Sequence, residues 1–236
     1  MLITWYLSLL LSCSGTADER VEAARKPASP GRRVVRSIPV DVIAPPEVSE
    51  SFVRQICAEA EAIWGPAGMI FDCRRVTSSD AAHPGHLNVT IDSRRSDPWE
   101  GKPTLGWIKF IDGRPEPSVH LSRASAEDLL RGAGSLGGPA IDIPEVLIER
   151  ALGRALSHEL GHYLLGSTAH APRGLMRANW SSREVFALQR DGFELSAEER
   201  ETAVRRLRYD GGPHRLTNSV PAQMTIQSPA VRNAGS

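Results

Sequence analysis

The chain has 236 residues, with 28 basic and 28 acidic side chains and no formal net charge at pH 7. This balance leaves no basic surface of the kind that binds nucleic acid or an acidic membrane, so we expect no nucleic-acid partner. A hydrophobic fraction of 41% is enough for one packed domain with additional terminal segments.

The N-terminal segment indicates export. The first eleven residues are almost wholly apolar, and small residues follow as far as Ala17. This pattern is typical of a signal peptide over residues 1–17, although the usual basic start is missing. The run is too short to span a bilayer as a helix, so the mature chain is expected to have no transmembrane span. The sequence Leu10-Leu11-Ser12-Cys13 also resembles a bacterial lipobox, in which Cys13 would carry a lipid anchor; we favour a removed signal.

The elements that follow predict an α+β fold with a mixed sheet and a helical C-terminal part. Residues 18–33 are charged and aperiodic and are interpreted as a flexible leader, and residues 211–236 as a disordered tail. One catalytic domain is expected over residues 34–210. Strands are predicted at 34–43, 69–76, 87–92, 105–111 and 118–121, the last at a sheet edge, and helices at 48–64, 124–131, 144–166, 181–190 and 196–209.

Two cysteines lie within the predicted domain. Cys57 falls in the first helix and Cys73 in the second strand. An even pair in an exported protein predicts one disulfide. Two buried free thiols are the alternative.

The helix predicted at 144–166 is amphipathic. Pro144 suits the first turn, Glu145 favours the positive end of the helix, and Gly166 is a plausible C-cap. Apolar residues recur at three- and four-residue spacing from Leu147 to Leu160. This context predicts a largely buried helix, so residues near its end are held rigidly.

Near that end stands His158-Glu159-Leu160-Gly161-His162. Residues four apart share one helix face, so His158 and His162 can point two imidazoles at one metal ion. The carboxylate of Glu159 lies beside them, where it can take a proton from water at the metal. This is the H-E-x-x-H arrangement of zinc metallopeptidases, and it predicts a Zn²⁺ site with Glu159 as the catalytic base.

A catalytic zinc site usually has three protein ligands. The next histidine is His170, which follows the predicted helix stop and precedes Gly174-Leu175-Met176. A tight turn there would place Met176 beneath the imidazoles. The alternative third ligand is Glu184, on the following helix.

From these residues the chain resembles the metzincin clan of zinc endopeptidases, whose motif is H-E-x-x-H-x-x-G-x-x-H followed by a methionine turn. The resemblance implies that His158, His162 and His170 are zinc ligands, Glu159 the general base and Met176 the turn methionine. The glycine and third histidine come one and two residues later than in that motif, so the loop to the third ligand is lengthened.

The hypothesis is an exported zinc peptidase that hydrolyses peptides or proteins, holding the substrate by β-addition at strand 118–121. A zinc-stabilised binding module, or an inactive pseudo-peptidase of the cell envelope, is the alternative. A lipid-anchored protein with a role in assembly is a third. Glu159 distinguishes the peptidase, because a purely structural zinc site does not need it.

Overall fold

The computed structural model describes residues 36–93, 104–133, 143–209 and 222–227. The strands are β1 (Arg36–Ile43), β2 (Met69–Val76), β3 (Leu87–Asp92), β4 (Thr104–Ile111), β5 (Arg114–Ser122), β6 (Asn179–Ser181) and β7 (Ala222–Gln227). The helices are α1 (Glu50–Trp64), α2 (Arg123–Ala133), α3 (Glu145–Leu165), α4 (Ser182–Phe186) and α5 (Ala197–Tyr209). The predicted signal peptide and leader lie outside the described residues.

Helix α1 shows how local sequence sets the element boundaries. Ser49 is its N-cap, and the hydroxyl accepts a hydrogen bond from the backbone N–H of Phe52 at 3.1 Å. The helix passes into a short 3₁₀ turn that ends at Gly68, whose φ of +78° is the left-handed conformation that glycine adopts without cost. The predicted apolar face of this helix is confirmed as buried, for example at Phe52 and Ile56.

The described strands form one mixed sheet in the order β2-β1-β3-β5-β4-β7-β6. Strands β2, β1, β3 and β5 run parallel to one another, whereas β4 is antiparallel to both β5 and β7. The prediction of an α+β fold with a mixed sheet is therefore confirmed. The prediction that strand 118–121 lies at an edge is wrong, because β5 is paired with β3 on one side and β4 on the other. Substrate pairing along β5 is excluded for the same reason.

Helices α1 and α3 pack against each other, and α3 also contacts β4 and β5. The two helices approach closely at Gly153, where a Cβ atom would lie 2.5 Å from that of Glu59. The Trp64 indole N–H donates to the backbone carbonyl of Ser157 at 3.1 Å across the same interface. Helix α3 is thus fixed against both α1 and the sheet.

Helix α1 is also joined to the strand beside it. Cys57 on α1 and Cys73 on β2 are paired as a disulfide. The bridge links the helix to the strand at one end of the sheet.

The C-terminal part differs from the sequence expectation in two places. The helix predicted at 181–190 is limited to Ser182–Phe186 and is preceded by strand β6. Within the predicted disordered tail, Ala222–Gln227 instead form strand β7, paired with β4 and β6, so that prediction is wrong for these six residues. None of the described helices is long and apolar enough to cross a membrane.

Candidate metal centre

The C-terminal cap of α3 helps to orient one of the candidate ligands. Gly166 ends the helix with φ +62°, and its N–H donates to the His162 carbonyl. The chain then turns so that the carbonyl of Ser167 accepts a hydrogen bond from Nδ1 of His162 at 2.7 Å. A left-handed glycine cap at the predicted position therefore also orients an imidazole.

His158 and His162 are both buried in the last turns of α3. Nδ1 of His158 donates to the carbonyl of Leu175 at 2.9 Å, as Nδ1 of His162 does to Ser167. Because a carbonyl only accepts, each Nδ1 carries the ring hydrogen, and each Nε2 has only a lone pair. The two Nε2 atoms face each other at 3.1 Å. Two such lone pairs repel, and a metal cation between them would relieve the repulsion.

The imidazoles are also held in the form that binds metals. Burial, reinforced by the neighbouring His162, lowers the pKa of His158 well below its ordinary value. Burial likewise lowers the pKa of His162, to about 4. Both rings are therefore neutral at pH 7, as metal ligation requires.

His170 completes the group. Its ring centroid lies 5.3 Å from that of His158 and 4.9 Å from that of His162. One nitrogen from each of the three rings lies within 4.8 Å of the others, so the group can hold one metal ion. His170 is exposed, whereas the other two histidines are buried. Three imidazoles, one of them exposed to solvent, suit Zn²⁺ in an open coordination site.

Glu184, the alternative third ligand, forms hydrogen bonds with other residues. Its carboxylate accepts hydrogen bonds from the Arg177 guanidinium at 2.6 Å and from the backbone N–H and hydroxyl of Ser181. Burial alone would raise the pKa of this carboxyl, but the hydrogen bonds from Ser181 and Arg177 outweigh burial and lower the pKa to about 2. The carboxylate therefore caps α4, and the metal-holding group contains His170 instead.

Met176 lies under the helix end that carries the two buried histidines. Its sulfur and methyl group occupy the space that a Cβ on Gly161 would need. The preceding turn brings Arg177 N–H to the carbonyl of Gly174, whose φ is +79°. Gly174-Leu175-Met176 thus forms a tight turn, and the same turn supplies the Leu175 carbonyl that orients His158.

Glu159 is fully buried beside the metal-holding group. Its Cγ atom would be 3.2 Å from a Cβ atom on Gly106, so β4 runs directly against this side chain. Any side chain at position 106 would press on the methylene group of Glu159 next to the carboxylate. Sequence reasoning missed Gly106 and the reason for Gly161, although a glycine inside an apolar strand is a signal of close approach.

A second group of possible ligands lies in the parallel part of the sheet. Asp41 is buried, and its Oδ2 atom lies 3.2 Å from Nδ1 of His86 and 3.9 Å from Nδ1 of His83. However, the Arg74 guanidinium bonds this carboxylate at 3.0 Å and also contacts His83 at 2.7 Å. Arg74 already supplies the positive charge here, so we assign no metal to this cluster.

The assignment of the third ligand can be tested by substitution. His170→Ala leaves two imidazoles and solvent, so we expect zinc affinity to fall more than about 100-fold, beyond the 10–100-fold typical for loss of an outer hydrogen-bond partner. Glu184→Ala should leave zinc affinity nearly unchanged and cost about 1 kcal/mol of stability through the lost cap. Zinc titration against a chelating indicator measures both. Loss of zinc in Glu184→Ala with retention in His170→Ala would reverse the assignment.

No protein-family profile matches the sequence, and no curated protein matches it significantly. Among solved structures, the chain is similar to an archaemetzincin from Methanopyrus kandleri, with 14% identity and a TM-score of 0.47 over 73% of this chain and 96% of that one. It is also similar to a zinc-dependent peptidase from Methanocorpusculum labreanum, with 10% identity and a TM-score of 0.46 over 70% of this chain and 99% of that one. The metal-holding group itself is defined by this chain's own side chains, His158, His162 and His170.

Proposed function

We propose that the chain is a zinc-dependent peptidase with a metzincin-like catalytic domain. The observation that carries the proposal is that three imidazoles and one buried glutamate lie together. His158, Glu159 and His162 share the last turns of α3, and His170 is brought to them by the loop that follows. A structural metal site would need the histidines but not Glu159.

When bound, Zn²⁺ would polarise the scissile carbonyl and lower the pKa of a coordinated water. The imidazoles of His158, His162 and His170 would hold the ion, and solvent reaches this group at His170. Glu159 takes the proton from the attacking water and passes it to the leaving amine. Its burial against Gly106 fixes the carboxylate on one side, so that little reorientation is required between the two proton transfers.

We propose that Met176 is the turn methionine of this site and that the loop to His170 is a lengthened form of the metzincin loop. Support comes from the contact of Met176 with Gly161 and from the Gly174 turn. The two added residues precede Ala171, whose N–H donates to the Met176 carbonyl at 2.8 Å. The longer loop is therefore tied back to the turn at its far end.

Removal and replacement of the metal tests the proposed function. A zinc chelator should abolish hydrolysis of a mixed library of unstructured peptides, and added Zn²⁺ should restore it. Mg²⁺ should not, since imidazole ligands suit zinc and Mg²⁺ prefers oxygen ligands. Internal cleavage of the peptides would establish endopeptidase action. Undiminished hydrolysis by protein shown to be free of metal would refute the proposal.

We propose further that the protein is exported, either released after removal of residues 1–17 or anchored through Cys13. The Cys57–Cys73 pair supports an oxidising compartment. The bridge encloses 15 residues, which is worth about 3 kcal/mol in the chain-entropy model. Thiol labelling of the unfolded, unreduced mature protein should therefore find neither cysteine reactive, and reduction should lower the denaturation midpoint. Two labelled thiols would contradict both the bridge and the argument for export.

A further inference from the structure

Strand β7 lies between β4 and β6 in the sheet. On one side it is antiparallel to β4, with Thr225 aligned to Thr104 and Gln223 to Trp107. On the other side it is parallel to β6, with Thr225 aligned to Asn179. Strand β6 follows the Met176 turn by two residues, and β4 is the strand that touches Glu159. The backbone of β7 therefore fills the gap between the strand that touches Glu159 and the strand that follows the Met176 turn.

The register places the middle of β7 at the level of the catalytic base. Between the aligned pairs, β4 has two residues, Leu105 and Gly106, where β7 has one, Met224. This irregularity sets Met224 opposite the glycine that contacts Glu159. Helix α3, which carries Glu159, also contacts β7. An extended peptide that added to β4 at this level would take the place of the β7 backbone.

Without β7, β4 would present a row of backbone N–H and C=O groups at the sheet edge among the described residues. Such an edge is a template for an added strand. The sequence of β7, Ala-Gln-Met-Thr-Ile-Gln, has no charge, proline or glycine and suits an extended strand. The covalent connection of β7 to the rest of the chain also favours its binding to β4. Because α5 ends at Tyr209 and β7 begins at Ala222, the strand is a local competitor at high effective concentration.

We propose that β7 is an intramolecular occupant of the peptide-binding gap between β4 and β6, so that the C-terminal segment blocks the site and a substrate must displace it. This inference rests on the proposed peptidase function for its biological meaning. The competition between β7 and an added peptide for the edge of β4 does not depend on catalysis. Apparent affinity for such a peptide falls in proportion to the fraction of molecules with β7 displaced.

Proline at position 225 is the sharpest perturbation, because Thr225 is aligned with both neighbouring strands and proline cannot remain in an interior strand. The matched control is Thr217→Pro, the same change outside β7. Amide hydrogen exchange of the full chain measures whether β7 is displaced, and it needs no activity assay. In Thr225→Pro the amides of β4 should exchange at least about tenfold faster while those of β1 and β3 are unchanged, and Thr217→Pro should behave as the parent. Unchanged exchange of β4 would overturn the inference.

Binding provides the second measurement. A fluorescent peptide with the sequence of residues 220–229 should bind Thr225→Pro at least about tenfold more tightly than it binds the parent or Thr217→Pro, and it should restore slow exchange of β4. A chain ending at Pro221 serves as the second variant if Thr225→Pro does not fold. If β7 only completes the sheet, both variants lose cooperative unfolding and none binds the peptide better, which would overturn the proposal. If peptide binding and exchange behave as expected while every variant is inactive toward peptides, the occupant stands and the peptidase function fails.

Discussion

Glu159→Gln is expected to lower peptide hydrolysis by about 10²–10⁴-fold, the usual contribution of a general base. The carboxamide fills the same buried space beside Gly106 but cannot accept a proton from water. The loss corresponds to about 3–5 kcal/mol of transition-state stabilisation. Zinc affinity should be retained, because His158, His162 and His170 are intact.

The matched control for this change is Glu149→Gln, which alters another glutamate on the same helix away from the metal centre. Its activity should equal that of the parent. Steady-state kinetics with a quenched fluorescent peptide and a zinc assay on each preparation separate loss of catalysis from loss of metal. Full activity in zinc-loaded Glu159→Gln would remove this residue from the mechanism. It would leave a metal-holding fold that functions as a binding module.

Arg154→Ala is expected to produce the largest loss of stability, about 3–5 kcal/mol, as is typical when one partner of a buried ion pair is removed. The guanidinium is fully buried one helical turn before His158. Its Nε donates to Glu59 on α1 at 3.0 Å, and its Nη atoms donate to the backbone carbonyls of Glu184, Val185 and Gln189. Arg154 therefore joins three parts of the chain around α3.

The control is Arg150→Ala, one turn earlier on α3, where the guanidinium donates to the single carbonyl of Phe186 at 2.8 Å. This change should cost about 1 kcal/mol, the value of one partly exposed hydrogen bond. Urea denaturation with the slope held in common measures the difference in unfolding free energy. The Arg154 network would be energetically unimportant if the two variants differed by less than about 1 kcal/mol. Arg154→Lys should lie near Arg154→Ala, since one ammonium cannot reproduce the fork of donors.

The sequence predicted the part of the site that lies within one element. His158, Glu159 and His162 are fixed relative to one another by helical geometry alone, so their spacing is sufficient once the helix is recognised. The apolar period of α3, its acidic first turn and Gly166 identified that helix within a residue or two at each end. The left-handed conformation of Gly166 is likewise a local property that a glycine after an apolar run predicts.

Contacts between segments that are far apart in the sequence are harder to predict. The choice between His170 and Glu184 depended on the path of a loop, and the structure places His170 with the other histidines because Gly174 turns the chain and the Met176 carbonyl binds Ala171 N–H. The sequence does not identify Arg154 as buried, because hydrophobic periodicity does not distinguish a buried arginine from a solvated one. Its partners come from positions 59 and 184–189, which the helix pattern does not contain.

The chemistry of the site can be read from the amino-acid sequence: two histidines and a glutamate on one helix, a third histidine and a methionine nearby, and a cysteine pair. The backbone segments that surround these groups follow only from the tertiary fold. Strand 118–121 could not be recognised as interior, and 222–227 could not be recognised as a strand, because pairing partners are chosen by the whole sheet. Local β-propensity indicates whether one segment can form a strand. The order of the strands depends instead on which other segments bury their apolar faces beside that strand. For that reason the occupant of the gap next to Glu159 is visible in the fold and not in the sequence.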